Sequence, residues 1–398
     1  VYKRQASTVS NFTNLWFNAS GDAFYTNGGI VVLTNSTLQS NSAGGKLLVC
    51  NGTGVTLDTV SVRNSNNGSP AAWFKGANTT STQISNCDFG GGGPLYSYTP
   101  SAVSSNGTTI TISLSNTTGF YVDDYIVLKG LSTNAYNGFF RISAVSTNSS
   151  VSAIATPFYN IPSSGSASGT LGTASTVPAC VVIDNSSGAY NESMINNCMM
   201  QAVNYPSDPI SVSLLFQGTE QNANLQGWTV SNCYFDYGSV GSMITNQSLS
   251  SGVGRIIFSN CLSIAWLGQF LVSKAGGIMI NNCQGGAGAK LTSLVPWASG
   301  NTYSQNAFVS YSGNNYYCKN PTAFVSTTPP SSDTTNWTNM GLVPLASFGV
   351  YAYSDSTSKA EGLHISNCQL GGSAFWNGLD PGIGTGTYSY ATVSYTHL

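Results

Sequence analysis

ISNCDF at residues 84–89 returns along the chain as INNCMM (195–200), VSNCYF (230–235), FSNCLS (258–263), INNCQG (280–285) and ISNCQL (365–370), with weaker copies LTNSTL (33–38) and LDTVSV (57–62). With the Cys position as marker, the copies fall at 36, 60, 87, 198, 233, 261, 283 and 368, spaced by 24, 27, 111, 35, 28, 22 and 85 residues. Steps of 22 to 28 suit one turn of a parallel β-solenoid, and the long steps call for insertions. Within the phrase, Ile84, Cys87 and Phe89 are expected to point inward from two short strands. Asn86 then sits at the bend between them, where the backbone is left-handed and Asn tolerates it. Stacking puts Asn86, Asn197, Asn232, Asn260, Asn282 and Asn367 in one column. Neighbours about 4.8 Å apart can bond amide to amide from turn to turn. The preceding residue is Thr34, Asp58, Ser85, Asn196, Ser231, Ser259, Asn281 or Ser366, always small and polar, so that column is expected to face outward.

Composition agrees with this pattern. Of 398 residues, 7% are charged, against roughly 25% in ordinary globular proteins. Disorder is excluded by 41% hydrophobic and 11% aromatic residues. No apolar run reaches the roughly 18 residues that a membrane helix needs, so no membrane insertion is expected. Long amphipathic helices would need charged outer faces, and these are missing. A formal charge of −2 argues against a nucleic-acid partner.

The repeat resembles the right-handed parallel β-helix of the pectin-lyase-like superfold, a group that includes polysaccharide lyases, polygalacturonases and phage tailspikes. The resemblance covers about 24–89, 180–290 and 345–375 and implies an all-β solenoid of about 8–10 turns with a carbohydrate bias. The first long step contains alternating apolar residues with Gly and Asn turns (108–154) and is expected to form a small antiparallel barrel. It looks like a module recurrent in phage tail and baseplate proteins. Gly119, Phe120, Val122, Asp124, Tyr125, Val127, Gly130, Tyr136, Asn137, Gly138, Phe140, Ile142 and Val145 fit that pattern, with Asp123 in place of a Gly. Asp123–Asp124 reads as a turn before a strand. The second long step (296–341) resembles the small chitin-binding type of carbohydrate-binding module through Trp297, Tyr303, Val309, Tyr311, Gly313, Tyr316, Tyr317, Cys318, Pro329, Pro330 and Trp337. Its aromatic residues serve equally well as a core or as a sugar-stacking face. The expected organisation is solenoid at 6–100, 176–292 and 344–392, a barrel module at 101–175 and a carbohydrate-binding-like module at 293–343, both projecting from loops.

The ends carry a separate expectation. VYKRQ (1–5) and VSYTHL (393–398) are translations of one transposase adapter and its reverse complement, GTG TAT AAG AGA CAG and GTC TCT TAT ACA CAT CT, and are read as adapter-derived. His397 is therefore set aside.

Six of the nine Cys occupy the same inward slot, so a buried thiol column is expected, with no zinc spacing, no metal and no cofactor. Reduced thiols point to assembly in a bacterial cytoplasm. His364 precedes inward Ile365 and is read as a surface residue near Glu361. Nucleophile-elbow, zincin and P-loop motifs are absent, as are the Asp pairs and Gly-His-Gly of polygalacturonases and the basic run of pectate lyases.

Acids are scarce, and Asp184, Glu192, Asp208, Glu220 and Asp236 fall together among Tyr190, Tyr205, Phe216, Trp228, Tyr234 and Tyr237. Carboxylates on adjacent turns can flank a glycosidic oxygen at roughly 5–9.5 Å. Asp208, Glu220 and Asp236 are therefore the candidate catalytic acids, with Trp228 and Tyr237 as stacking rings. Trp297, Tyr311, Tyr317 and Trp337 are the candidate sugar contacts of the second module. The residue after each marker Cys points outward, and Met199, Tyr234 and Leu262 make its middle apolar, which suggests a covered face and a homotrimer. The sequence thus favours a phage tailspike or tail-fibre segment in the virion tail that recognises bacterial surface polysaccharide, with depolymerisation by a glycosidase or lyase activity left open. A bacterial polysaccharide lyase or glycosidase and a non-enzymatic surface adhesin remain the alternatives.

Overall fold

The computed structural model describes residues 2–5, 9–19, 24–40, 46–52, 54–64, 68–76, 81–156, 159–186, 192–202, 210–217, 227–236, 238–245, 256–265, 267–273, 275–287, 296–304, 307–342, 348–353 and 362–371. The chain forms a parallel β-helix. Among the described residues it makes nine turns, each with three strands. The first strands, from Tyr2–Gln5 to Phe348–Tyr353, form a 9-stranded parallel sheet. The second and third strands meet at the Asn bend and share a 16-stranded sheet. In Ile30–Ser40 and Gly54–Asn64 the two run on as one strand, with the bend inside it.

The bend has the expected conformation. Asn35, Asn86, Asn197, Asn232, Asn260, Asn282 and Asn367 all have φ between 46° and 56°, and Thr59 takes 55°. Their amides ladder through solvent: Asn197 Nδ2 donates to Asn86 Oδ1 at 2.8 Å and Asn282 Nδ2 to Asn260 Oδ1 at 2.7 Å. Asn232 departs from the column and donates to Asn196 Oδ1 at 2.9 Å. Inside, Cys87, Cys198, Cys233, Cys261, Cys283 and Cys368 are buried in one column, where each thiol donates to the carbonyl two residues back. Cys50 and Cys180 join the same core from the first strands. Burial raises both thiols, Cys50 to about 12, because the thiolate loses its hydration.

A further turn precedes the eight marked ones. FTNLWF (12–17) repeats the phrase with Leu15 in the Cys slot, and Asn14 has φ 54°. Its first strand is Tyr2–Gln5, paired in register with Phe24–Asn27, so the segment read as adapter-derived fits the solenoid. Residues 393–398 lie outside the described residues.

The insertions replace what would be plain corners. Strands between Ser97 and Ser175 form an 8-stranded antiparallel sheet, whose order runs from Ser97–Tyr98 to Gly165–Ser166 without a closing pair among the described residues. Asp123 takes φ 72°, which explains why Gly suits that slot, and Arg141 Nη1 donates to its carboxylate at 3.0 Å. The chain leaves the solenoid at Gly93 and returns at Ala179, which are bridged antiparallel. A Cβ on Gly93 would lie 2.2 Å from the Ser69 nitrogen, so only Gly fits this exit.

This module does not project freely. Its core residues, among them Phe120, Tyr125, Phe139 and Tyr159, form one apolar cluster with Val182, Leu215, Met243 and Leu271 of the solenoid. Those four are the outward residues of successive first strands, in register with one another. Strands such as Val212–Gln217 and Val240–Thr245 are therefore buried on both faces, like strands in the middle of a layered α/β sheet. The projecting arrangement expected from sequence is corrected here, because an outward apolar column must be covered.

The second insertion has a three-stranded sheet (Phe308–Tyr311, Asn314–Cys318, Trp337–Leu342) and a two-stranded one (Asn301–Tyr303, Phe324–Ser326), all antiparallel. Tyr303, Val309, Tyr316, Cys318 and Trp337 form its core.

Candidate functional site

Among the described residues, no apolar cluster covers the outer face of the third strands. Along each strand the inward Cys and the second inward residue alternate with two outward positions, which stack into two columns. The column next to the bend runs Thr37, Ser61, Asp88, Met199, Tyr234, Leu262, Gln284 and Gln369 in register. Met199 and Tyr234 are partly exposed and Leu262 is 43% exposed, so the apolar stretch faces outward as expected.

The second column, near the strand ends, runs Arg63, Gly90, Gln201, Asp236 and Ile264. Its polar members are tied together across four turns. Arg63 Nε donates to Asp88 Oδ2 at 2.7 Å, and its Nη1 reaches past Gly90 to donate to Gln201 Oε1. Gln201 Nε2 in turn donates to Asp236 Oδ2 at 3.1 Å. Gly90 makes the span possible: a Cβ there would lie 2.6 Å from Arg63 Nη1. The result is a flat strip with fixed donors and acceptors, half open to water, beside an apolar column.

Of the candidate catalytic acids, Asp236 stands at the end of this strip. Asp208 and Glu220 lie outside the described residues, in segments that join different strands: 203–209 follows a third strand and 218–226 follows a first strand. Tyr237, which follows Asp236, also lies outside them. Trp228 requires a correction. It opens a second strand with its ring pointing inward, is 3% exposed and packs edge-on against Phe216 at 5.5 Å. Its slot is an inward one, in register with Ser193 and Ile256, so it is core and cannot stack on a sugar.

In the second module Trp337 is likewise core, 2% exposed and edge-on to Tyr303 at 5.1 Å. Trp297 and Tyr311 are partly exposed and perpendicular at 5.3 Å, with Trp297 Nε1 donating to Ser326 Oγ at 3.0 Å. The side chain of Tyr317 is outside the description. His364 is partly exposed and pairs with Met279 across the turn. Among the described residues no group of three or more His, Cys, Asp or Glu could hold a metal ion, and no helix is long and apolar enough to cross a membrane.

Sequence reasoning missed Arg63 and Gln201. They are 138 residues apart, and no motif links them, although both stand four residues after the bend position of their turns and one after an inward side chain.

No family model matches the chain, and no curated protein matches it. Among solved structures, it is similar to the tailspike protein gp49 from Pseudomonas phage LKA1, with 13% sequence identity and a TM-score of 0.19. The similarity covers 64% of this chain and 47% of the tailspike, so the chain matches about half of that protein's length.

Proposed function

We propose that the chain is a segment of a phage tailspike or tail fibre that binds bacterial surface polysaccharide along the outer strip of its third strands. The observation that carries this is the Arg63–Gln201–Asp236 ladder, held across turns and left facing outward. Amide, guanidinium and carboxylate groups held in place by one another offer the mixed donors and acceptors that sugar hydroxyls require. A linear polymer lying along the solenoid meets this strip turn after turn. The sequence resemblances of both insertions to phage tail modules support the virion setting. Met199, Tyr234 and Leu262 beside the strip are the contacts of a homotrimer, in which each copy covers the apolar column of its neighbour.

The test is an array of purified capsular and O-antigen polysaccharides. The protein binds at least one of them, and Gln201→Ala or Arg63→Ala weakens that binding by about ten-fold, the loss expected for polar groups that orient a ligand. Unchanged binding by both variants contradicts the site. Cleavage is read separately, by release of reducing ends. If the bound polymer is shortened, Asp208→Asn, Glu220→Gln and Asp236→Asn each lower the rate by about 10²-fold or more with binding retained. A polymer bound but never shortened makes the segment a receptor-binding scaffold and these acids strip and loop residues only.

A further inference from the structure

The first turn presents one more outward group in line with the strip. Trp16 opens the strand Trp16–Ala19 and stands between Leu15 and Phe17, whose side chains pack against the solenoid core. Alternation along the strand therefore turns the indole outward. It is 68% exposed, more than any other large hydrophobic side chain among the described residues, although Trp is highly buried on average. Its mount is rigid. The Leu15 backbone N–H donates to Ser36 Oγ at 3.1 Å, and the Thr37 N–H donates to the Leu15 carbonyl at 2.8 Å.

Register sets what surrounds the ring. Trp16 pairs with Thr37 and Asn18 with Gln39; one turn further, Thr37 pairs with Ser61 and Gln39 with Arg63. Trp16 thus heads the column that runs through Asp88, Met199 and Tyr234, and Asn18 and Gln39 head the one that holds Arg63, Gln201 and Asp236. From the turn of Trp16 to that of Asp236 the column steps through Thr37, Ser61, Asp88, Met199 and Tyr234, roughly 24 Å along the solenoid. The neighbours of the indole are polar and uncharged: Asn18 is exposed, and Thr37, Gln39 and Ser61 are partly exposed. A protein partner or a membrane would need a contiguous apolar patch, which these residues interrupt. A pyranose needs an aromatic plane under its C–H face, with donors and acceptors at the edge for its hydroxyls.

We propose that Trp16 is an open stacking platform for a neutral pyranose of the bound polymer, with Asn18, Thr37 and Gln39 on the hydroxyls of that sugar. The inference rests on the reading that bacterial polysaccharide lies along the third strands, and it deepens that reading by placing a neutral-sugar subsite at the end of the strip opposite Asp236.

The probe is the polysaccharide that the parent binds most tightly in the array. It is titrated against Trp16→Ala, Trp16→Leu and Trp16→Tyr, with Arg63→Ala alongside and a thermal scan to show that each variant is folded. Trp16→Ala and Trp16→Leu bind about ten-fold more weakly, whereas Trp16→Tyr stays within about three-fold of the parent, because Leu keeps apolar bulk and loses the flat face. The loss in Trp16→Ala persists when salt is raised to about 0.5 M, since no charge takes part. Bound polymer also shields the indole from acrylamide, read as the difference in fluorescence quenching between the parent and Trp16→Tyr. The proposal is overturned if Trp16→Ala binds like the parent or if Trp16→Leu binds as well as Trp16→Tyr. It is also overturned if Trp16→Ala lowers the mass seen by light scattering, which would make the indole a contact between copies. Weakened binding by Arg63→Ala with full binding by Trp16→Ala rejects the platform alone. Failure of the parent to bind any polysaccharide rejects the strip and the platform with it.

Discussion

The two sheets of the solenoid are built from the same repeat and end in opposite states. On the first-strand sheet the outward column is Trp73, Val182, Leu215, Met243, Leu271 and Tyr351, and the inserted module packs over it. On the third strands the corresponding column is Asp88, Met199, Tyr234, Leu262, Gln284 and Gln369, and none of the described residues forms an apolar cluster over it. One face has spent its outward surface on stability and the other keeps it for binding. The difference lies in a handful of side chains, because the backbone ladders are alike.

The largest effect comes from placing the same charge on both faces. Leu215→Asp puts a carboxylate into the dry seam between module and solenoid, where the native side chain is 1% exposed, and costs about 4 kcal/mol or more. Leu262→Asp, at a position 43% exposed, changes the stability of a single chain by about 0.5 kcal/mol or less, yet it separates the proposed trimer. Denaturant unfolding and light scattering on the two variants read both halves of this contrast. Equal losses of stability would mean that the third-strand face is as covered as the first.

Next in size is pH. An unfolded thiol titrates near about 8.5, whereas burial holds Cys50 up to about 12 and also raises Cys180. The fold keeps these groups protonated, so their contribution is complete below the unfolded value and drains away as the pH climbs toward the folded one. Each such thiol removes about 1.4 kcal/mol per pH unit within that window. Unfolding midpoints followed upward from pH 8 should therefore fall, and Cys50→Ala should flatten the slope. A flat profile in the parent would mean that water reaches these thiols.

The smallest of the larger changes belongs to the bend that joins the second and third strands. Asn232→Leu forces a poor left-handed residue at φ 54° and removes the bond to Asn196, at a cost on the order of 1–3 kcal/mol. Asn232→Gly restores the backbone freedom and should recover most of the loss, a comparison read in the same unfolding assay.

These contrasts also mark what the sequence could and could not reveal. The second and third strands were legible because the bend demands Asn and the inward slot favours Cys, so the phrase repeats. The first strands carry no such phrase. Runs such as SLLFQ (213–217) and QFLV (269–272) lack the alternation of a half-exposed strand, and their continuous apolar character is itself the mark of a sheet covered on both sides. The candidate site was only partly legible: Asp236 stands on the strip, whereas Trp228 is core because its slot is inward, a point settled by register rather than by residue type. The Arg63–Gln201 contact spans the whole first insertion, and only stacking brings its ends together.

The central claim is that the polar column of the third strands, from Arg63 through Gln201 to Asp236, is the polysaccharide surface. Hydrogen–deuterium exchange with and without a polysaccharide selected from the array tests it most directly. The account predicts slowed exchange in 199–202, 234–236 and 262–265, with the first strands 212–217 and 240–245 unchanged because they are already sealed. Protection confined to 296–342, or absent from the third strands altogether, would contradict it.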